Sequence, residues 1–499
     1  MKFFLSAELT FSRNVEELDM EKILEGIDTI LEKGAPKGRG AKIKSWKLNR
    51  DLLSIEIESE RWVRPHDAIF RLKNFFAEQL GKKHKLGVKK IFAKRYDIEF
   101  EVSKEPKESI RIPFVKEIKF QEKLCRIKLE NLDEEFLQKN YIDRILSLIE
   151  DKIDMQYYKG KEEYHEVIWQ SEKKEHKFNK NPTNEMEKHG WIMHRGRGQW
   201  IFSPIATKIM RTFEDIVSKE LLKPLGFNEV IIPKAVTWDV WQKSGHAKSI
   251  YPEIYYICPP KTRNREDWEH IIDFYKITGD VPVDEIKENI KPPIGGVCYA
   301  QCPPLWPYFQ NKTIADESLP IKVFDHSGPS MRYESGGIHG IERVDEFHRL
   351  EIVWIGYHEQ VKKIRDEIVE CFRKIFNEIL ELEWRMSWVT PWFMAQEGLK
   401  GLAEEDKSKR DVGTIDFESF LPYSKEWLEF QNVSNNGEKY PKGFNVKSQS
   451  SEALYSGCSG VGLERWLATF IAQHGLEQDS WPEEFNRRIG NLPKEIKFL

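Results

Sequence analysis

Arg332-Tyr333-Glu334 and Phe347-His348-Arg349-Leu350-Glu351 put two arginines, two carboxylates and an aromatic ring on either side of a glycine-containing loop. Arginine and a carboxylate on converging strands suit a charged ligand. The planar guanidinium forks onto phosphate oxygens, and the carboxylate accepts from an amine or hydroxyl. Gly336, Gly337 and Gly340 let the intervening loop fold back closely. Along the second segment the side chains alternate, so Leu350, Ile352 and Trp354 share a core face. Phe347, Arg349 and Glu351 share the other face with Val353 and Ile355. Two charges on a half-apolar face are costly unless a ligand, a metal or a partner charge compensates them. A surface hairpin with an ordinary ion pair is the competing reading.

Gly457-Cys458-Ser459-Gly460-Val461-Gly462-Leu463-Glu464-Arg465 is a second phosphate-suited stretch. Its glycines run into a helix with the apolar stripe Leu463, Trp466, Leu467, Phe470 and Ile471. Arg465 falls opposite that stripe, over the glycine turn, where the positive end of the helix adds to its own charge. Most glycine turns before helices are only close-packing joints, so this stretch gains weight from its company. The company is a helical stripe, Ile209, Phe213 and Ile216, then a strand expected over Phe227–Ile232 that ends at Pro233.

The elements that must position these groups are embedded in a chain of 499 residues, long enough for two or three domains. A hydrophobic content of 40% supports globular cores, and no run of eighteen apolar residues predicts a membrane span. Six cysteines without a disulfide framework fit a reducing cytoplasm. The net charge of −4 argues against indiscriminate nucleic-acid binding, but its distribution is uneven. Between Lys33 and Arg95 there are 18 Lys/Arg against 6 Asp/Glu, so the remainder of the chain is acidic. An RNA-facing N-terminal domain on an acidic body is one reading, and lysine-rich solvated faces are the other.

The expected fold class is α+β. In the N-terminal domain, residues 1–160, strands are expected at Phe3–Phe11, Lys42–Leu48, Leu52–Glu58, Lys89–Val102 and Glu117–Leu129. Helices are expected at Val15–Lys33, Pro65–Leu80 and Asp133–Ile153. Arg64, Arg71 and Lys73 on and beside the Pro65 helix are candidate phosphate contacts, or plain solvent charges. A lysine-rich polar stretch, 161–188, reads as a linker to a catalytic domain over 189–499. Within that domain, residues 260–292 read as an acidic helix-turn-helix insertion whose composition speaks against DNA recognition.

In chain order the elements are helix–strand–Pro, strand–Arg-x-Glu–loop–strand and strand–GxGxxR–helix, a pattern that resembles class II aminoacyl-tRNA synthetases. Longer strings narrow the resemblance: VTWDVWQKSGH at 236–246, YPEIYYICPP at 251–260, CYAQCPP at 298–304 and RYESGGIHGIERVDEFHRLEIVWI at 332–355. PWFMAQEG at 391–398, WLEFQNVS at 427–434 and SGCSGVGLERW at 456–466 belong with them. Together they are similar to the atypical, methanogen-type seryl-tRNA synthetases, over nearly the whole chain. That family implies a catalytic domain built on an antiparallel sheet flanked by helices. It also implies an N-terminal α+β tRNA-binding domain in place of a long coiled coil, and no sustained heptad run occurs in the first 160 residues.

The resemblance implies an active-site Zn2+ on Cys302, Glu351 and Cys458. Spacing alone does not, since there is no CxxC pair and Cys298 and Cys302 are separated by three residues across a Pro-rich turn. Two thiolates and a carboxylate would leave one zinc position open, as a catalytic site requires, for the amino group of L-serine. Cys125, Cys258, Cys298 and Cys371 read as structural. By the same resemblance Arg332 grips the α-phosphate of ATP, Glu334 binds its amine or ribose side, and Phe347 stacks on adenine. Arg343 and Arg465 take the outer phosphates, and Glu429 and Asn432 hold Mg2+. Glu429 lies on an alternating strand and is expected to share its face with Trp427 and Gln431. Trp392, Gln396, Asn432 and Ser434 are the expected serine contacts.

The implied activity is serine–tRNA ligation in the cytoplasm by a homodimer, on tRNA(Ser) and in some cases tRNA(Sec). Dimerisation would run through the Pro233 element. Two other readings stand beside it: an amino acid ligase that loads a carrier protein, and a non-catalytic synthetase paralogue. The basic N-terminal region weighs against the first, and the presence of all the motif arginines weighs against the second.

Overall fold

The computed structural model of the chain describes residues 1–157, 165–334, 337–390 and 411–496. It divides into two compact units, Met1–Glu162 and Glu163–Leu499. Among the described residues no helix is long and apolar enough to cross a membrane.

Strict alternation in the N-terminal unit produces an antiparallel sheet. Lys2–Phe11 lies between Leu52–Glu60 and Val88–Glu101, with Lys42–Asn49 at one edge and Leu124–Asp133 then Glu117–Gln121 at the other. Every second residue of Lys2–Phe11, from Phe3 to Phe11, is buried. They meet the helix Pro65–His84, whose Ile69, Leu72, Phe76 and Leu80 are buried in the same core.

Three expected elements are corrected here. The helix expected at Val15–Lys33 is two short pieces, Met20–Leu24 and Asp28–Leu31, because Glu25 is extended and Gly26 takes a positive φ between them. The strand expected at Glu117–Leu129 is a tight hairpin, Glu117–Gln121 and Leu124–Asp133, turning at Glu122 with φ 53°. The helix expected at Asp133–Ile153 is likewise split, Glu134–Gln138 and Tyr141–Tyr157, at Asn140 with φ 54°. Each miss joined two apolar runs across a residue that adopts the left-handed region.

The second unit is built on a mainly antiparallel sheet. Its order is Asn228–Glu229, Ile321–Asp325, Glu346–Gly356, Tyr455–Gly462, Glu426–Gly437, Gly413–Leu421, Trp384–Val389 and His165–Gln170, and Pro329–Met331 pairs separately with Glu346–Gly356. The stretch expected as a linker is therefore partly built into this unit. His165–Gln170 is an edge strand on Trp384–Val389, and Pro182–Lys188 is a helix. Lys173, Lys177, Lys180 and Lys188 are exposed, while Lys174 is half-buried and the apolar minority, Trp169 and Met186, packs on the core. Leu350, Ile352 and Trp354 of Glu346–Gly356 face one core, with Phe213, Trp466 and Phe470 from the flanking helices. Val353 and Ile355 face another, with Cys302, Trp306 and Tyr440. A strand covered on both faces explains why its charges must find partners inside the protein.

The 260–292 segment folds as helices Glu269–Thr278 and Val283–Asn289, closed at its base by a bridge between Pro260 and Ile290.

Candidate active site

The strand Glu346–Gly356 and its antiparallel neighbour Tyr455–Gly462 set the site. Their register places Glu351 opposite Gly460 and Val353 opposite Cys458, and Ser434 of the next strand also lies opposite Cys458. Cys302 arrives from outside the sheet, as the residue that caps the short helix Pro303–Tyr308. The ligand atoms of Cys302, Glu351 and Cys458 all lie within 4.8 Å of one another. The Cys302 thiol donates to Glu351 Oε1 at 2.6 Å, and Asn436 Nδ2 donates to Cys458 Sγ at 3.3 Å.

The electrostatics of this group favour a cation. Glu351 is fully buried and Cys302 nearly so. Burial pushes the Cys302 thiol well above its usual range, and the neighbouring Cys458 and Glu351 push it further. Burial also raises the Glu351 carboxyl, against the pull of Arg349. Arg349 Nε sits 2.7 Å from Glu351 Oε2, but neither atom makes an aligned hydrogen bond. The two costly charges of this strand thus compensate each other in charge and leave hydrogen-bonding capacity at the carboxylate. Two thiols, one of them half-buried, and a buried carboxylate this close together fit a divalent metal that replaces their protons. Gly460 makes room for the pair, because a Cβ there would stand 1.9 Å from Arg349 NH2.

The phosphate-suited arginines are each oriented by an acid. Arg332 NH2 lies 2.8 Å from Glu253 Oε2, and its backbone N–H donates to Asp345 O. Arg465 NH1 donates to Glu429 Oε2 at 2.6 Å and to Glu429 O, while its Nε donates to Glu342 O. Glu342 is itself 5% exposed and accepts from Tyr423 Oη at 2.6 Å. Beside it, buried Glu464 accepts from the His348 backbone N–H and lies 2.7 Å from His348 Nδ1. The hydrogen bond to Glu464 raises the His348 pKa above its ordinary value, against burial. Two successive residues at the start of the helix Leu463–His474 thereby clasp the loop and the strand that carry the other candidates. Arg343 is bridged to His339 in that loop, and Phe347 is half-buried opposite Ser330.

Glu429 and Asn432 lie on Glu426–Gly437, but the expected company of Glu429 needs correcting. A register shift at Phe430 breaks the alternation, so Phe430 and Gln431 are both buried. Gln431 accepts from Trp466 Nε1 and donates to Ser459 Oγ inside the core instead of facing a cavity with Glu429. Ser434 shares a hydrogen bond with Thr414 at 2.8 Å, close to Cys458 in register. Trp392 and Gln396 lie outside the described residues.

In the N-terminal unit the three candidate phosphate contacts have partners of their own. Arg64 binds Asp143, Arg71 NH1 donates to Lys33 O, and Lys73 pairs with Glu134. Sequence reasoning missed Glu253, Asp345, Glu342 and Glu464. Their partners lie far along the chain or across a loop, and no local period marks them.

Residues 1–151 match the family described as a tRNA-binding domain, and residues 299–474 match the tRNA synthetase class II core domain (G, H, P, S and T). The fold and these matches define a class II aminoacyl-tRNA synthetase with an N-terminal tRNA-binding domain. A type-2 serine–tRNA ligase of Methanothrix thermoacetophila is 52% identical over 100% of both chains. One from Methanococcoides burtonii is 55% identical over 95% of this chain and 94% of its own. The solved structure of M. kandleri SerRS, in complex with A. aeolicus tRNASec, matches with a TM-score of 0.84 at 30% identity, over 100% of this chain and 99% of that one. The chain belongs to the type-2 serine–tRNA ligases.

Proposed function

We propose that this chain activates L-serine with ATP as seryl-adenylate and passes the seryl group to the 3′ end of tRNA(Ser), with Zn2+ held by Cys302, Glu351 and Cys458. The observation that carries the reading is the convergence of two thiols and a carboxylate within 4.8 Å, in a unit that also holds two acid-oriented arginines. Zinc bound there would supply a Lewis-acid position for the amino group of serine.

The serine carboxylate attacks the α-phosphorus and pyrophosphate leaves, so no enzyme nucleophile is needed. The task of the protein is positioning and charge neutralisation. Arg332 takes the α-phosphate and Glu334 the amine or ribose side of the nucleotide. Phe347 stacks on adenine, Arg343 and Arg465 bind the outer phosphates, and Glu429 with Asn432 would hold the Mg2+ that accompanies ATP, supplying charge neutralisation there. Because Arg332 and Arg465 rest on Glu253 and Glu429, both guanidiniums are oriented before a phosphate arrives. Ser434 and Asn432, with Trp392 and Gln396, read the serine polar groups. In the second step the tRNA terminal hydroxyl attacks the adenylate carbonyl and AMP leaves.

The tRNA-binding match over residues 1–151 supports tRNA rather than a carrier protein as acceptor. Acceptance of tRNA(Sec), Arg64, Arg71 and Lys73 as tRNA contacts, a cytoplasmic setting and pairing of two copies belong to the same proposal. Ile231, 80% exposed beside Pro233, supports the pairing.

Serine-dependent ATP–pyrophosphate exchange against a panel of amino acids tests the substrate. Serine should exceed alanine by roughly 10⁴-fold, because unpaired hydroxyl-reading groups penalise the analogue that lacks the hydroxyl. Exchange with threonine or an apolar amino acid, and none with serine, would defeat the assignment.

A further inference from the structure

We propose that Arg197 and Asp345 are positioning residues for the nucleotide: together they fix the peptide of Glu334, and through it the Arg332–Glu334 segment, in the geometry that receives ATP. The inference rests on the ATP-site reading above and adds to it Arg197, from a hairpin outside the three motifs, acting with Asp345 of the loop between Arg332 and Phe347.

Arg332, Tyr333 and Glu334 need such a device. The strand Pro329–Met331 ends just before Arg332; the Arg332 N–H still donates to Asp345 O, but the Tyr333 N–H turns to Glu253 O and Glu334 leaves the hydrogen-bonded ladder just where the side chains matter. The turn of a separate hairpin, Ile192–Gly196 with Gln199–Phe202, fills that role. Arg197 in this turn spreads its fork over two targets. Nε lies 3.0 Å from Asp345 Oδ2, and NH2 donates to Glu334 O at 2.6 Å. Asp345 completes the bracket by accepting from Glu334 N at 2.9 Å through Oδ1. The peptide groups on both sides of Glu334 are thus held by one ion pair.

The rest of the surroundings locks that pair in place. Asp345 is fully buried and also accepts from Tyr255 Oη at 2.6 Å. The Arg197 guanidinium stacks 4.0 Å from the Tyr333 ring centroid. Gly198 O accepts from both Asp345 N and Glu346 N, which bolts the turn to the return strand. A side chain at Gly198 is excluded by space and conformation, because its φ is +55° and a Cβ would stand 2.3 Å from Asp345 N. A bidentate fork with one arm on a carboxylate and the other on a carbonyl is a task that lysine cannot perform.

The test is steady-state ATP–pyrophosphate exchange on the full chain with Arg197→Lys, Asp345→Asn, Glu334→Gln and the Arg197→Lys/Glu334→Gln double variant. Thermal midpoint and zinc content are read alongside. Arg197→Lys, at a 38% exposed side chain, should keep its Tm and zinc. Its KM for ATP should rise and its kcat fall, together about tenfold or more, as expected of a small misplacement at a reacting centre, while KM for serine stays put. Asp345→Asn should move the same parameters in the same direction. In the Glu334→Gln background Arg197→Lys should add less than about twofold, because residues that act as a unit are non-additive. Unchanged ATP parameters in Arg197→Lys, a fall in Tm with normal kinetics, an equal rise in KM for serine, or multiplicative effects in the double variant would each overturn the inference. Full activity in Glu334→Gln would instead bring down the ATP-site assignment and this inference with it.

Discussion

Glu351 illustrates how one side chain can be costly in one context and required in another. Fully buried, it carries an ion pair with Arg349 and a thiol donor at Cys302, and its remaining capacity points to a cation. If zinc binds there, Cys302→Ala and Cys458→Ala should each lose the metal and lower serine-dependent exchange by at least about 10²-fold, since even outer-shell changes cost 10–100-fold. Metal analysis on purified variants, paired with exchange assays, checks this, and zinc content at the wild-type level in both would remove the site. Glu351→Gln has a second consequence. It leaves Arg349, whose side chain is 19% exposed, without its counter-charge, a loss below the about 3–5 kcal/mol of fully buried broken pairs because water reaches the guanidinium. Urea unfolding of the metal-free proteins, wild type against Glu351→Gln, separates that loss from loss of the metal.

At the scale of elements, the strand Tyr455–Gly462 works because its glycines let large groups of the neighbouring strand lie flat against it. A Cβ at Gly457 would enter the Trp354 indole at 2.1 Å, and one at Gly460 would enter the Arg349 guanidinium. Trp354 is held by the core around it and Arg349 by its ion pair with Glu351, so neither retreats freely. Gly457→Ala and Gly460→Ala should each destabilise the catalytic unit by about 1–3 kcal/mol, the usual cost of overpacking. They should differ in function. Gly460→Ala displaces the partner of Glu351 and should also weaken metal retention, whereas Gly457→Ala disturbs only the core beneath. Chemical denaturation and zinc content measured side by side distinguish the two, and equal metal retention in both would contradict this division of labour.

For the whole molecule, each unit has its own core, with the N-terminal cluster drawn wholly from residues before Glu162 and the two others from residues after it. A chain beginning at Glu163 should therefore keep serine-dependent exchange and lose tRNA charging, and intact charging would refute the tRNA-binding role of the first unit. Acid should also unfold the second unit by a nameable route. Burial lowers His246 to about 3 and His474 to about 4, from an ordinary value of 6.5. Below pH 6.5 the unfolded chain takes up these protons and the folded chain does not. Stability is then constant above about 6.5 and falls by up to about 1.4 kcal/mol per pH unit for each histidine down to about pH 4. His474 is also tied by Nε2 to Leu380 O at 2.8 Å, so His474→Gln should cost some stability at pH 8 but flatten the decline between pH 6.5 and 4.5. An unchanged slope in urea midpoints across that range would show that His474 does not drive it.

Alternation and glycine placement in the sequence determined the strands that carry the site. The sides of Leu350, Ile352 and Trp354 against Val353 and Ile355 followed from period two alone, because a strand has only two faces. Where one residue turned left-handed or bulged, as at Gly26, Glu122, Asn140 and Phe430, the same reasoning ran through the break, since a single φ leaves no periodic trace. Cys302, Glu351 and Cys458 were expected as a ligand set through likeness to a family and not through spacing. Only the tertiary structure brought their atoms together, and only it supplied Glu253, Glu342, Glu464 and Asp345 as partners of the arginines and strands. The physical reason is range: a hydrogen bond between residues far apart in the chain depends on how sheets and loops pack, and local sequence encodes the elements but not their encounter.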